Sequence, residues 1–139
     1  MPKVQADGLP LPQRYGAILT IVIGISMAVL DGAIANVALP TIATDLHATP
    51  ASSIWVVNAY QIAIVISLLS FSFLGDMFGY RRIYKCGLVV FLLSSLFCAL
   101  SDSLQMLTLA RVIQGFGGAA LMSVNTALIR LIYPQRFLG

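Results

Sequence analysis

Four long apolar blocks, Tyr15 to Leu39, Ile54 to Leu74, Ile83 to Leu100 and Leu104 to about Leu128, are separated by short intervals that gather most of the charge. About 20 helical residues cross a hydrocarbon core, and each block is close to or beyond that length. Barrel strands are a poor alternative, because none of the blocks alternates apolar and polar residues with the ten-residue rhythm of a membrane barrel. Composition agrees: 59% of residues are hydrophobic and 9% charged, against about 25% charged in soluble domains. The expected fold is therefore all-α, a polytopic membrane protein of four transmembrane helices with the lipid bilayer as its solvent.

This reading divides the chain into a polar tail at 1–14, helices at 15–39, 54–74, 83–100 and 104–128, a turn at 75–85 and an end segment at 129–139. The first apolar run is too long for a signal-peptide core of about 7–15 residues. Punctuation supports the division. Pro40 is expected to close the first span, Pro50 with Ser52 and Ser53 to open the second, Gly75 and Gly79 to break the second from the third, and Pro134 to follow the fourth.

Lysine and arginine fall on alternate connections: Lys3 and Arg14 before the first span, Arg81, Arg82 and Lys85 at the second turn, Arg130 and Arg136 after the fourth. The intervening connections carry none, although Asp45, His47 and Asp102 fall there. The positive-inside rule then places both termini and the 75–85 turn in the cytoplasm. A net charge of +3 is explained by orientation, and with no basic stripe interleaved with aromatics it does not point to nucleic acid. Cys86 and Cys98 lie in one apolar block and read as packing residues, and His47 as a solvated loop residue.

Arg111 is the basic residue that orientation leaves unexplained. A charge within the bilayer costs roughly 2.5–3.5 kcal/mol on insertion scales, which makes it a functional candidate with a partner to be named. Asp31 is that partner. It sits about eight residues before the outer end of span one, roughly 13 Å deep, and Arg111 about seven residues into span four, roughly 10 Å deep, at 1.5 Å per residue. At an effective dielectric near 20, unit charges about 4 Å apart attract by roughly 4 kcal/mol, enough to make a pair tolerable where one charge is not. The two are expected to meet in a common interior, either for function or as a purely structural pair.

Small residues accompany both charges. Gly24, Ala28, Asp31 and Ala35 share one stripe of span one; Arg111, Gly115, Gly118, Met122 and Asn125 share one of span four, with Gln114 beside it and Gly115 and Ala119 as a small-xxx-small pair. Gly115, Gly118 and Ala119 are thus expected to be helix-packing positions. In span two, Asn58 and Gln61 share a face and are candidates for substrate contact or for bonding across helices. Trp55 and Tyr60, near its outer end, read as interfacial anchors. The string "GFGGAA" from Gly115 to Ala120 fits a dinucleotide fingerprint by letter only, having neither a preceding strand nor a later acidic residue. Nothing in the motifs points to an enzyme, a metal or an organic cofactor.

Three of these motifs together resemble the major facilitator superfamily, and within it the fourteen-helix branch of drug:proton antiporters. "LARVIQGFGGAA" is similar to the fourth-helix signature at Leu107, Arg111, Gln114, Gly115, Gly117 and Ala119. "FLGDMFGYRRIY" resembles the signature turn between helices two and three at Leu74, Asp76, Gly79 and Arg81, with Ser72, Met77 and Tyr80 departing from it. "LDGAIANVALP" resembles the first-helix signature at Leu30, Asp31, Asn36, Ala38, Leu39 and Pro40, and "WVVNAY" the start of the second helix. The resemblance implies helical bundles that alternate access, with the proton as coupling ion, Arg111 and Asp31 in coupling, and Asn36, Asn58, Gln61 and Gln114 as cavity or substrate candidates. It also implies a cytoplasmic gating turn at Asp76, Gly79, Arg81 and Arg82. In that turn Asp76 is expected to pair with Arg81 or Arg82 or to face a helix N-terminus.

Transporters of this family have twelve or fourteen helices around a midplane site. A four-helix chain is therefore expected to be an N-terminal fragment of a multidrug exporter in a bacterial inner membrane, handling small amphipathic or cationic compounds with the missing helices as partners. The alternatives are a self-contained four-helix exporter that acts as a dimer, as the small multidrug resistance proteins do, and a non-transporting membrane subunit.

Overall fold

A computed structural model describes residues 10–132 of the chain. Lys3, Pro134 and Arg136 lie outside the described residues, as does the side chain of Arg130. The described part is four helices: α1 (Leu11–Asp45), α2 (Pro50–Phe78), α3 (Tyr80–Ala99) and α4 (Leu104–Ile132). All four are long and apolar enough to cross a membrane, as the four apolar blocks require.

The helices extend past most of the expected ends, because hydropathy marks the hydrocarbon layer whereas a helix stops where its backbone is capped. Pro40 does not close α1; it lies inside it. A proline removes one N–H and crowds one carbonyl, a loss that membrane helices tolerate where neighbouring groups compensate. The stop comes at His47, whose φ of 51° is left-handed. There the His47 N–H donates to the Thr44 carbonyl and the Ala48 N–H to the Ala43 carbonyl, the two bonds of a Schellman cap. His47 is exposed, as expected, but its backbone ends the helix.

Thr49 then caps α2. Its hydroxyl accepts from the Ser52 N–H at 3.2 Å, and Pro50 occupies the first helical position, where its missing N–H costs nothing. The expected 75–85 turn shrinks to one residue, Gly79, which ends α2 and begins α3 with φ +94°. Only glycine adopts that angle without strain. Gly75, by contrast, is buried within α2, where a Cβ would press on the Tyr80 ring and Val124. Ser103 opens α4, its hydroxyl accepting from the Met106 N–H.

In packing, α4 is central. It makes its broadest contacts with α2 and α3, and α1 lies against this trio with far less contact. Glycines set the spacing on both sides of α4. A Cβ at Gly115 would stand 2.7 Å from the Tyr60 carbonyl oxygen on α2, and one at Gly117 would stand 2.7 Å from the Phe91 backbone nitrogen on α3. Gly87 on α3 completes the second contact, meeting Ala120 and Gly117. Ala119, between the two faces, is fully buried. The expected packing role of Gly115 thus has a counterpart on α3 that the small-xxx-small pair alone does not indicate.

The exterior is the reverse of a soluble protein's. Val37 and Leu69 are 81% and 82% exposed, as are many other large apolar side chains, while Arg111 and Gln114 are buried. An apolar surface of this kind suits lipid or further helices.

The contact at Gly117 predicts an asymmetric response to alanine. In detergent, Gly117→Ala lowers thermal stability by about 1–3 kcal/mol, the usual cost of overpacking, because backbone must move. Gly16→Ala, at a position where a Cβ meets nothing, leaves the melting temperature unchanged or slightly higher.

Candidate functional site

Asp31 and Arg111 meet. One Arg111 terminal nitrogen, Nη1, donates to Asp31 Oδ2 at 2.5 Å, joining α1 to α4 across 80 positions of sequence. Gln114, one helical turn after Arg111, makes the pair a closed ring. Its Oε1 accepts from the same Nη1 at 2.7 Å, and its Nε2 donates to Asp31 Oδ1 at 2.9 Å. Both carboxylate oxygens and the amide oxygen are therefore occupied. Charge pairing and these bonds offset part of the cost of burying the two charges in a low-dielectric interior.

The environment is asymmetric. The Arg111 side chain is 5% exposed and that of Asp31 20%, so the carboxylate is the less enclosed member of the pair. A guanidinium keeps its proton under all ordinary conditions.

Two more helices contribute. Tyr60 of α2 places its ring 4.3 Å from the guanidinium carbon of Arg111, in cation–π contact. Cys98 of α3 brings its thiol to Gln114 Oε1 at 3.7 Å. The other edge of Arg111, Nε and Nη2, and the Tyr60 hydroxyl are buried without a partner among the described residues. Donor capacity thus remains beyond what Asp31 and Gln114 use.

Tyr60 corrects an expectation. It is 4% exposed and lies inside the bundle rather than at the interface, whereas Trp55 is 59% exposed. The signal was present in the sequence: Ser53, Val56, Tyr60, Ala63 and Ser67 repeat at helical spacing, and all are buried in α2. Depth suggested an anchor, but position around the helix places the ring inward. Gly115 and Gly118 are small for the same reason. Gly118 faces the Tyr60 hydroxyl and Ile64 of α2, so this stripe of α4 accommodates α2 more than α1. Cys86, expected to pack, is exposed.

The remaining candidates stand apart from the ring. Asn36 is exposed and its amide donates to the Gly32 carbonyl of its own helix. Asn58 and Gln61 are exposed on α2. At the other end, Asp76, Arg81 and Arg82 are exposed, and the Tyr80 hydroxyl donates to Asp76. A neutral phenol across the Gly79 break thus takes the place that Arg81 or Arg82 is expected to fill.

A second tie holds α1. The Tyr84 hydroxyl donates to the Thr20 carbonyl at 2.9 Å, and Gly24, one turn on, leaves room for the phenol, which a Cβ there would overlap. The stripe of Gly24, Ala28 and Asp31 is therefore the face that α1 turns inward.

A sequence profile of the Major Facilitator Superfamily matches residues 21–139. The riboflavin transporter RibZ of Clostridioides difficile is 34% identical over 129 residues, 93% of this chain and 28% of RibZ. The tetracenomycin C resistance and export protein of Streptomyces glaucescens is 35% identical over 127 residues, 91% of this chain and 23% of that protein. A protein of Salmonella paratyphi B named for multidrug resistance, MdtD, is 39% identical over 115 residues, 83% of this chain and 24% of MdtD. The chain spans about a quarter of the length of these relatives.

The closed ring predicts a strongly non-additive double-mutant cycle. Arg111→Met alone leaves the Asp31 carboxylate unpaired and costs about 3–5 kcal/mol, whereas Asp31→Leu with Arg111→Met recovers most of that loss. Thermal unfolding of the four proteins in detergent reads the cycle directly.

Proposed function

Because the chain belongs to the major facilitator superfamily, we propose that the protein it is part of exports small amphipathic or cationic compounds across a bacterial inner membrane in exchange for protons. The observation that carries this reading is the Asp31–Arg111–Gln114 ring, a titratable carboxyl that ties α1 to the central helix of the bundle. The relatives named for multidrug resistance and for export support the drug-like substrate class.

In this mechanism a proton reaching Asp31 neutralises the carboxylate and removes its attraction for Arg111. With the ion pair open, α1 retains its link through Thr20 to Tyr84 and the amide bond from Gln114, but loses its charged tie to α4. Movement of α1 against the α2–α3–α4 unit, which it contacts sparingly, then changes access to the space beside Arg111. Substrate and proton compete because both draw on the same carboxylate.

The N-terminal side of α1 and the Gly79 turn face the cytoplasm in this reading, supported by Arg14, Arg81, Arg82 and Lys85 at that end. Asp76 and Tyr80 then form part of the cytoplasmic gate.

Expressed from the complete reading frame and reconstituted in liposomes, Asp31→Asn and Arg111→Ala abolish substrate movement driven by a pH gradient while the protein still inserts. Wild-type rates in both variants refute the coupling role.

A further inference from the structure

The ring contains a carboxyl, a guanidinium and an amide, but the residue that encloses its cation comes from a fourth position. We propose that Tyr60 is a positioning residue for proton exchange at Asp31: its ring clamps the Arg111 guanidinium in the orientation that directs Nη1 to the carboxylate. The inference rests on the coupling role proposed above and assigns the aromatic face of α2 a part in it.

Three observations support this. The Tyr60 ring is buried and lies 4.3 Å from the guanidinium carbon. That distance suits a cation–π contact, which grows stronger as water is excluded. Next, α4 is shaped around this tyrosine. Gly115 lets the α2 backbone approach so closely that a Cβ there would stand 2.7 Å from the Tyr60 carbonyl oxygen, and a Cβ at Gly118 would stand 3.2 Å from the Tyr60 hydroxyl. The spacing Arg111, Gly115, Gly118 thus forms a socket for Tyr60 directly beside the charge it covers. Finally, the hydroxyl has no hydrogen-bond partner among the described residues, so the ring face, rather than a polar bond, is what Tyr60 supplies to Arg111.

Groups from each neighbouring helix surround the Asp31, Arg111 and Gln114 ring. Tyr60 of α2 and Cys98 of α3 are the titratable groups within electrostatic reach of both charges, and Gln114 of α4 bonds to both. Of these, Tyr60 alone contacts the guanidinium by its face. Without the ring, Arg111 has more freedom to turn away from Asp31, and the carboxylate loses part of its stabilisation. Proton uptake then begins at higher pH.

The test compares Tyr60→Phe, which keeps the ring, with Tyr60→Leu, which removes it, in the protein expressed from the complete reading frame. Two readouts are taken: transport driven by a pH gradient in liposomes, and the pH dependence of Asp31 labelling by a hydrophobic carbodiimide, which reacts with the protonated carboxyl. Tyr60→Phe is expected to match wild type in both. Tyr60→Leu is expected to transport about two- to thirtyfold more slowly, with the labelling midpoint raised by up to about one pH unit. Where Tyr60→Leu gives no intact protein, Tyr60→Met, unbranched and without a ring, is read in the same way. A wild-type labelling midpoint in the ringless variant overturns the proposal, as does a loss in Tyr60→Phe equal to that in Tyr60→Leu. Failure of the underlying reading looks different: Asp31→Asn would still move substrate with the pH gradient.

Discussion

A charge inside a lipid bilayer must be paired, and the fold around Arg111 follows from that requirement. The guanidinium is placed on the most enclosed helix, so its carboxylate has to come from another helix. Asp31 of α1 supplies it, and Gln114 occupies the oxygen that Arg111 leaves open. Bringing three helices close to one charge then requires small residues: Gly115 and Gly118 toward α2, Gly117 toward α3, Gly24 and Ala28 along the inner face of α1. The glycine-rich string after Arg111 is the steric consequence of a buried charge with partners on several sides.

The same arrangement gives α1 a distinct mechanical status. The central helix is wedged between α2 and α3 by backbone-to-backbone contacts that leave little freedom, since interiors this close-packed transmit displacement rather than absorb it. By contrast, α1 is tied by polar links to Arg111 and Gln114 near Asp31 and to Tyr84 at Thr20. α1 is thus held lightly to a rigid unit, by a few polar contacts rather than by close backbone packing.

Much of this was legible in the sequence. Four apolar blocks set the number of helices, and residue counting along two of them put Asp31 and Arg111 at matching depth before any contact was known. Depth is one coordinate, however, and the site also depends on position around each helix axis. Tyr60 shows the difference: counted from the outer end of α2 it looks like an interfacial anchor, yet it shares the inward stripe of Ser53, Val56 and Ala63. Helix ends were read short for another reason. Hydropathy falls off where lipid ends, while Pro40 to Asp45 of α1 and Gly75 to Phe78 of α2 remain helical until the backbone turns at His47 and Gly79. Asp76 illustrates a third limit, because charge alone favours Arg81 or Arg82 as its partner, whereas the turn at Gly79 brings the Tyr80 hydroxyl to it instead.

If protonation of Asp31 loosens α1 from α4, as proposed, the separation of the two helices beyond the ion pair changes with pH. Spin labels attached through Val37→Cys and Met106→Cys, both exposed positions, report that distance in the reconstituted full-length protein once Cys86 and Cys98 are replaced by alanine. The account predicts a distance distribution that shifts on acidification in this background, and one that no longer changes with pH when Asp31→Asn is added. A distribution that ignores pH in the background protein, while transport there stays linked to the pH gradient, would contradict it.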